Sequence, residues 1–358
     1  MPLSRGVAVF TESVSRGGAE VSLRNLLAAL DPVLDVTLIG VHKGICSWIA
    51  AARPGTEVVV VRPPRGKFAL RASFSLRREL ARRRPCVFHV NLRTIEDAQY
   101  AIVAALTVPD VKVIAVEQLP YPPDSRLSIW LKRLTSPRLA AHVAVGERAA
   151  RIVEETVGLA PNSIVTIYNG VPDLGPAAVR PATGDVVIGT LARLDRIKGL
   201  DLLLDAAAAL SNTHFMLIGE GADADLLADQ AERLGISDRV RFVPWTDDAH
   251  KLFDQFDIFV LPSRNEGFPL SIVEAMLAAR PVVAADVGSV REAIAEGETG
   301  FVVPPDDVQA LRAALERLIA DPDLRRRFGT AGRARALELF TAERMAGSFE
   351  RLYEQVGV

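Results

Sequence analysis

Two glutamates eight residues apart, Glu266 and Glu274, lie in the stretch FDIFVLPSRNEGFPLSIVEAMLAARPVV, residues 256–283. The apolar run Ile258–Leu261 predicts a buried strand that closes at Pro262, and the periodic segment from Leu270 to Ala278 predicts a helix. Glu266 then sits in the loop beyond the carboxyl end of a strand, where open α/β sheets bind ligands. Glu274 lies about one turn inside the helix. Between the two, the amides of Leu270 and Ser271 open the helix without intrahelical partners and make a natural anion site. Two carboxylates that accept from hydroxyls, set around a backbone nest for phosphate, suit a sugar nucleotide. Either glutamate alone reads as a solvated charge; the combination carries the inference.

A second stretch, VVIGTLARLDRIKGLDLLLDAAAAL (186–210), feeds a strand into a loop holding Arg193 and Lys198, with a helix after Gly199. The loop lacks a GxGxxG fingerprint, which disfavours a Rossmann dinucleotide site. An Arg and a Lys at a strand's carboxyl end can instead grip a diphosphate through charge-assisted bonds. That chemistry requires no metal, and no His/Asp cluster with ligand spacing is present. Gly17-Gly18-Ala19-Glu20 follows the first strand, where glycines let backbone approach a ligand and Glu20 suits the helix dipole. Gly219-Glu220-Gly221 is a similar tight turn after the strand ending at Ile218.

These residues need a scaffold, and the chain supplies a repeating one. In the first half Gly6–Phe10, Val36–Ile39, Val58–Val61, Val87–Val90, Val111–Val116, His142–Val145 and Ile164–Ile167 read as strands. Ala19–Leu30, Phe74–Arg84 and Arg148–Val157 have helical spacing. The Pro/Gly/Ala-rich segment Gly170–Asp185 reads as a linker. After it the alternation restarts, with strands at Val186–Thr190, Phe215–Ile218, Val240–Val243, Ile258–Leu261 and Val282–Ala284. Helices are expected at Leu200–Leu210, Asp225–Leu234, Leu270–Ala278, Asp307–Ala320 and Leu324–Phe340. Short apolar strands separated by helices predict two doubly wound α/β domains with ligand between them. The length of 358 residues suits two such domains.

The 49% hydrophobic content excludes a mostly disordered chain, and no uninterrupted apolar run reaches the ~18 residues of a spanning helix. No signal peptide is recognisable at MPLSRGVAVF, and the cysteines, Cys46 and Cys86, suit neither a disulfide framework nor a thiolate zinc site. A cytosolic enzyme is expected. Arginine supplies 36 of the 42 Lys and Arg, as in a GC-rich bacterial genome.

Taken together, the motifs closely resemble the retaining glycosyltransferases of family four, which have the GT-B fold. The resemblance rests on Arg193 with Lys198, on Gly219-Glu220-Gly221, and on the Glu266-x7-Glu274 pair within EGFPLSIVEAM. GETGFVVPPDD (297–307), FTAERMAGSFERLYEQV (340–356), GGAE (17–20) and YNGVP (168–172) add to it. It implies two Rossmann-like domains, an acceptor-side one at 1–171 and a sugar-nucleotide one at 172–341. A helix at 342–358 would cross back to the first. Arg193 and Lys198 would hold the donor diphosphate with the amides near Leu270 and Ser271, and Gly17 and Gly18 would pass close to it. Glu274 would accept the ribose hydroxyls and Glu266 those of the transferred sugar, with Gly267 and Phe268 in the same turn. Gly219 would bound the site, and the base would sit near Phe242–Trp245, beside Val243. Departing diphosphate gathers negative charge, which two cations and a helix dipole stabilise where it develops. Retention by front-face attack calls for no dedicated nucleophile or cofactor.

The first half departs from the family pattern. An HxH-like pair becomes His89-Val90-Asn91, and the histidine usual after the next strand is replaced by Glu117 or Gln118, depending on alignment. His89 itself reads as a satisfied histidine at a strand end. The first 171 residues carry 22 Lys and Arg against 14 Asp and Glu, and the remainder 20 against 30. Much of the excess lies in Arg62–Arg84, with nine cations and one acid, and in Arg126–Leu134; both interleave charges with Phe, Leu or Trp. Amphipathic helices of that kind can lie on an anionic membrane, which would present a lipid-linked acceptor. No nucleic-acid module is recognisable. The expected activity is transfer of a hexose or N-acetylhexosamine from a UDP- rather than GDP-linked donor to a glycan, lipid-linked or natural-product hydroxyl. A donor-binding accessory subunit and a non-hydrolysing sugar-nucleotide epimerase are the rival readings.

Overall fold

The computed structural model describes residues 6–64, 69–121, 123, 125–178, 184–246 and 249–357. Two compact units divide the chain: one runs to Pro172 and resumes at Thr341, and the other spans Asp173–Phe340. The central part of the expected linker (179–183) and Phe68 of the first basic segment lie outside the described residues.

In the first unit the order is β1 (Val7–Thr11), α1 (Gly18–Ala29), β2 (Val36–Gly40), α2 (Lys43–Ala50), β3 (Glu57–Val60), α3 (Leu70–Arg83) and β4 (Val87–Thr94). There follow α4 (Gln99–Leu106), β5 (Lys112–Leu119), α5 (Arg126–Thr135), β6 (Ala141–Ala144), α6 (Glu147–Val157) and β7 (Val165–Thr166). The second unit has β8 (Val186–Leu191), α7 (Leu200–Ala207), β9 (Thr213–Ile218), α8 (Ala224–Arg233), β10 (Val240–Val243) and β11 (Ile258–Leu261). It continues through α9 (Leu270–Leu277), β12 (Val282–Ala285), α10 (Val290–Ala293), β13 (Gly300–Val303), α11 (Val308–Ala320) and α12 (Pro322–Leu339). The last helix, α13 (Ala342–Val356), belongs to the first unit.

Both sheets are parallel, with strand orders β3-β2-β1-β4-β5-β6-β7 and β10-β9-β8-β11-β12-β13. The order reverses between β1 and β4 and again between β8 and β11, and a doubly wound sheet opens its ligand crevice at such a switch point. Central strands are apolar on both faces, Val7–Phe10 and Ile258–Leu261 being fully buried, because helices cover both sides. Helix starts follow local chemistry: Asp321 accepts from the amide of Leu324 at 2.8 Å ahead of Pro322, and Asp307 does the same for Ala310.

Some elements depart from the sequence expectation. β4 and β5 run on to Thr94 and Leu119, because ladder pairing such as Asn91 with Val116 carries polar residues that read as loop. His89 therefore stands inside a strand rather than at its end. α4 is apolar nearly all round and carries no helical period to detect. β13 is a four-residue strand with no alternation.

α13 completes the first unit. Thr341 caps it, Met345, Phe349 and Tyr353 are buried along one side, and the Tyr353 hydroxyl meets His89 Nδ1 at 2.7 Å. Asp31 N donates to Glu350 Oε1 at 2.6 Å, holding the helix against the end of α1.

Candidate active site

The second unit gathers its polar residues at the β8/β11 switch point. The loop after β8 carries Arg193, exposed and paired with Asp195 at 2.9 Å, and ends in a short helical turn, Arg196–Lys198. From there Lys198 Nζ reaches Glu266 Oε1 at 2.7 Å, in the loop after β11. Ser263 Oγ donates to the same oxygen at 2.7 Å, so both bonds fall on Oε1 of a buried carboxylate and leave Oε2 for a ligand. Residues sixty-eight positions apart thus meet because β8 and β11 are sheet neighbours.

The supporting clamp escaped the sequence reading. Arg264 grips Asp201 at 2.7–2.8 Å and Asp306 at 2.7 Å, donates from Nη1 to the carbonyl of Arg196, and accepts a place in the backbone by donating its own amide to Ile197 O at 2.7 Å. It thereby ties the Lys198 turn to the Glu266 loop. Nothing in the sequence distinguishes this arginine from a solvated loop cation, since its partners lie 63 and 42 residues away.

Two glycines fix the loops from behind. Gly219, at φ +146° after β9, lies where a Cβ would fall 1.9 Å from the carbonyl oxygen of Ala192, and its amide donates to Val243 O at 3.0 Å. Gly288, at φ +50°, lies where a Cβ would fall 1.9 Å from the carbonyl oxygen of Glu266. Side chains at either position would push the site loops apart.

Helix α9 opens at Pro269 with no side-chain cap, so Leu270 and Ser271 head an uncapped N-terminus. Glu274 is half-buried on this helix, and among the described residues its carboxyl has neither hydrogen-bond partner nor cation; burial pushes it up to about 7. The Phe268 ring is buried against Phe340, 5.1 Å between centroids, so its side chain walls the loop. Gly267 accepts from Ser289 N at 2.8 Å, which backs the same loop onto the segment after β12. Near the expected base position, Val243 ends β10 half-buried, Phe242 packs on the core, and Trp245 is largely exposed.

In the first unit Gly17 precedes α1 in extended conformation, and no other residue comes within 4 Å of the space a Gly18 side chain would enter. Glu20 lies in the first turn of α1, as the dipole reading expects, but it is buried, its carboxyl is raised by desolvation, and Oε1 has no partner. A chain of amides runs beside it. Asn91 donates to Ala19 O at 3.1 Å and accepts from Gln118 at 2.8 Å; Gln118 accepts from Asn169 at 3.0 Å; Asn169 accepts from Ser22 at 2.5 Å. GGAE and YNGVP are thereby joined through Gln118.

Glu117, the alternative to Gln118, is overturned as a catalytic group. It is fully buried on the opposite side of β5, paired with Lys132 and, at 2.7 Å, with His142. Burial pushes its carboxyl up, but the Lys132 ammonium and His142 outweigh that and hold it below the ordinary value. His89 is equally structural, since burial lowers its imidazole to about 3 and keeps it neutral. Among the described residues no three His, Cys, Asp or Glu side chains gather in a way that could hold a metal ion.

Comparison with known proteins places these features. Residues 16–173 match the model for Glycosyltransferase Family 4, and residues 176–335 match that for Glycosyl transferases group 1. A phosphatidyl-myo-inositol mannosyltransferase of Mycobacterium leprae is 32% identical over 267 residues, 70% of this chain and 69% of that protein. The lipopolysaccharide core biosynthesis mannosyltransferase LpcC of Rhizobium leguminosarum is 29% identical over 81% of this chain and 84% of its own. Against the glycosyltransferase LpsE of Rhizobium meliloti, the match spans 50% of that relative's length, and against a mycobacterial glycogen synthase 55%. In fold, Anabaena Alr3699/HepE, crystallised with UDP, superposes with a TM-score of 0.85 at 19% identity, covering 98% of this chain and all of that one. Two parallel Rossmann-like sheets, the loop constellation at their switch points and these matches lead to one assignment: the chain belongs to the family-four, group 1 glycosyltransferases of the GT-B fold.

Proposed function

We propose that the chain is a retaining glycosyltransferase that moves a hexose or N-acetylhexosamine from a UDP-linked donor to a hydroxyl of a glycan, lipid-linked glycan or natural-product acceptor. The carrying observation is the Lys198–Glu266–Ser263 cluster beside the uncapped start of α9. A ligand phosphate draws Lys198 from Glu266, and the freed carboxylate accepts sugar hydroxyls. Arg193, Lys198 and the α9 amides then neutralise the departing diphosphate as its charge grows, without a metal or cofactor. Glu274 accepts the ribose hydroxyls, and the base lies along Val243. In the first unit, Gln118 holds the Gly17-Gly18 turn through Asn91. The UDP and UDP-glucose complexes of HepE support the choice of base. The setting is cytoplasmic; among the described residues no helix is long and apolar enough to cross a membrane.

Incubating the protein with a panel of UDP- and GDP-sugars and following slow hydrolysis tests this. One UDP-sugar should turn over, and Glu266→Gln or Arg193→Ala should reduce the rate by about a hundredfold or more. Binding without hydrolysis or transfer would point to an accessory subunit, and C2 inversion of a free sugar nucleotide to an epimerase.

A further inference from the structure

Helices α3 and α5 both expose apolar side chains among their arginines, although α3 also buries Ala72, Leu76 and Leu80. An ordinary surface helix buries its apolar stripe and exposes charge. On α3 the exposed positions include Leu70, Arg71, Phe74, Arg77 and Arg78, and on α5 they are Arg126, Leu127, Trp130, Arg133 and Leu134. Both sets follow the spacing i, i+1, i+4, i+7, i+8, which is one continuous stripe of a helix. Leu70 is 73% exposed, Phe74 67% and Trp130 55%. What anchors α5 is polar: Lys132, its one fully buried long side chain, pairs with Glu117 and donates to Ile95 O at 2.9 Å. The lysine that the sequence placed among the outward cations thus points into the protein.

The two stripes share one side of the sheet, since α4 packs against both α3 and α5, and α4 adds Val103 between them. Positive charge predominates around the apolar groups. The single carboxylate of α3, Glu79, is held by Arg82 and Arg83 and kept below its ordinary value, Arg82 first. Arg71, Arg78 and Arg126 have no acidic partner among the described residues.

We propose that the outer face of α3, α4 and α5 docks the protein on an anionic lipid bilayer, with Phe74 and Trp130 entering the headgroup region and the arginines meeting lipid phosphates. Charge complementarity selects this occupant: a protein partner would need an acidic, apolar face, whereas an anionic bilayer offers both properties everywhere. The inference deepens the acceptor side of the proposed function, yet it is measured without any transfer reaction.

Flotation with phosphatidylcholine vesicles containing phosphatidylglycerol is the test, against vesicles of phosphatidylcholine alone. The protein should float only with the anionic vesicles and be released by salt. Arg71→Gln/Arg78→Gln/Arg126→Gln should weaken binding by about a hundredfold, at roughly one power of ten per 1.4 kcal/mol and ~1 kcal/mol for each cation. Brominated lipid should quench the wild type and leave Trp130→Phe, which keeps Trp48 and Trp245, unquenched. Unchanged melting temperature and UDP affinity identify the variants as folded. Failure to float at low salt, equal flotation with neutral vesicles, or a triple variant that floats like wild type would overturn the proposal. So would self-association that Phe74→Ser/Trp130→Ser abolishes while no vesicle binding occurs.

Discussion

Glu274 is the residue whose protonation should govern donor binding. Its carboxyl sits at about 7 instead of the ordinary 4.5 because burial penalises the anion with nothing nearby to offset it. Folded protein therefore holds a proton there that the unfolded chain releases between about 4.5 and 7, so ionisation costs stability as pH rises through that window. Ribose hydroxyls favour the anion and should recover that loss. UDP-sugar affinity should thus increase as pH climbs through 7. Glu274→Gln should lose this slope, raise KM by about tenfold to a hundredfold, and melt higher than wild type at pH 8 but not at pH 4. Melting and KM series at both pH values decide the matter. Of the candidate site, the places of Arg193, Lys198 and Glu266 in loops after strands, and of Glu274 one turn inside a helix, were legible because those elements have sequence signatures. Arg264 was not, since its role rests on Asp201 and Asp306, which only the fold brings near. The choice between Glu117 and Gln118 was equally illegible: adjacent strand residues face opposite ways, and a one-residue shift exchanges a buried ion pair for an amide network.

At the scale of elements, strand order does the positioning. Apolar runs and helical spacing located most strands and long helices, but the reversals between β1 and β4 and between β8 and β11 are products of pairing, not of local pattern. Strand ends were misjudged where polar residues such as Asn91 and Gln118 sit on the ladder. α13 shows how one helix can be structural across a long sequence separation. Tyr353→Phe leaves His89 Nδ1 buried without its partner and should cost about 1–3 kcal/mol. Denaturant titration should place the loss in the unfolding of the first unit, while UDP affinity stays unchanged. A Tyr353→Phe protein as stable as wild type would show that His89 finds another partner.

For the whole molecule, the small net charge of −2 averages over unlike parts. Assigning the last helix to the first unit, with its three acids and two bases, leaves that unit at +7 and the second at −9. In the acidic unit the cations proposed to hold the donor, Arg193 and Lys198, act only locally, whereas much of the positive excess of the first unit lies on α3 and α5. Two units with separate cores should not melt as one. Calorimetry should resolve two transitions, and UDP should raise the one belonging to Asp173–Phe340, by about 2.7 kcal/mol at a hundred times its Kd. A single transition insensitive to UDP would exclude independent donor binding by that unit.

The return of α13 also sets a timetable for biosynthesis. The ribosome makes the first unit's sheet before the second unit, yet Thr341–Val358 emerge only after that second unit is complete. Until then Ser22 and His89 await Met345 and Tyr353, and the ground that Phe349 covers stays open. The second unit, begun later, has all its residues by Phe340 and can finish first. A stop codon at Thr341 would therefore strike the unit whose sheet was translated before the other.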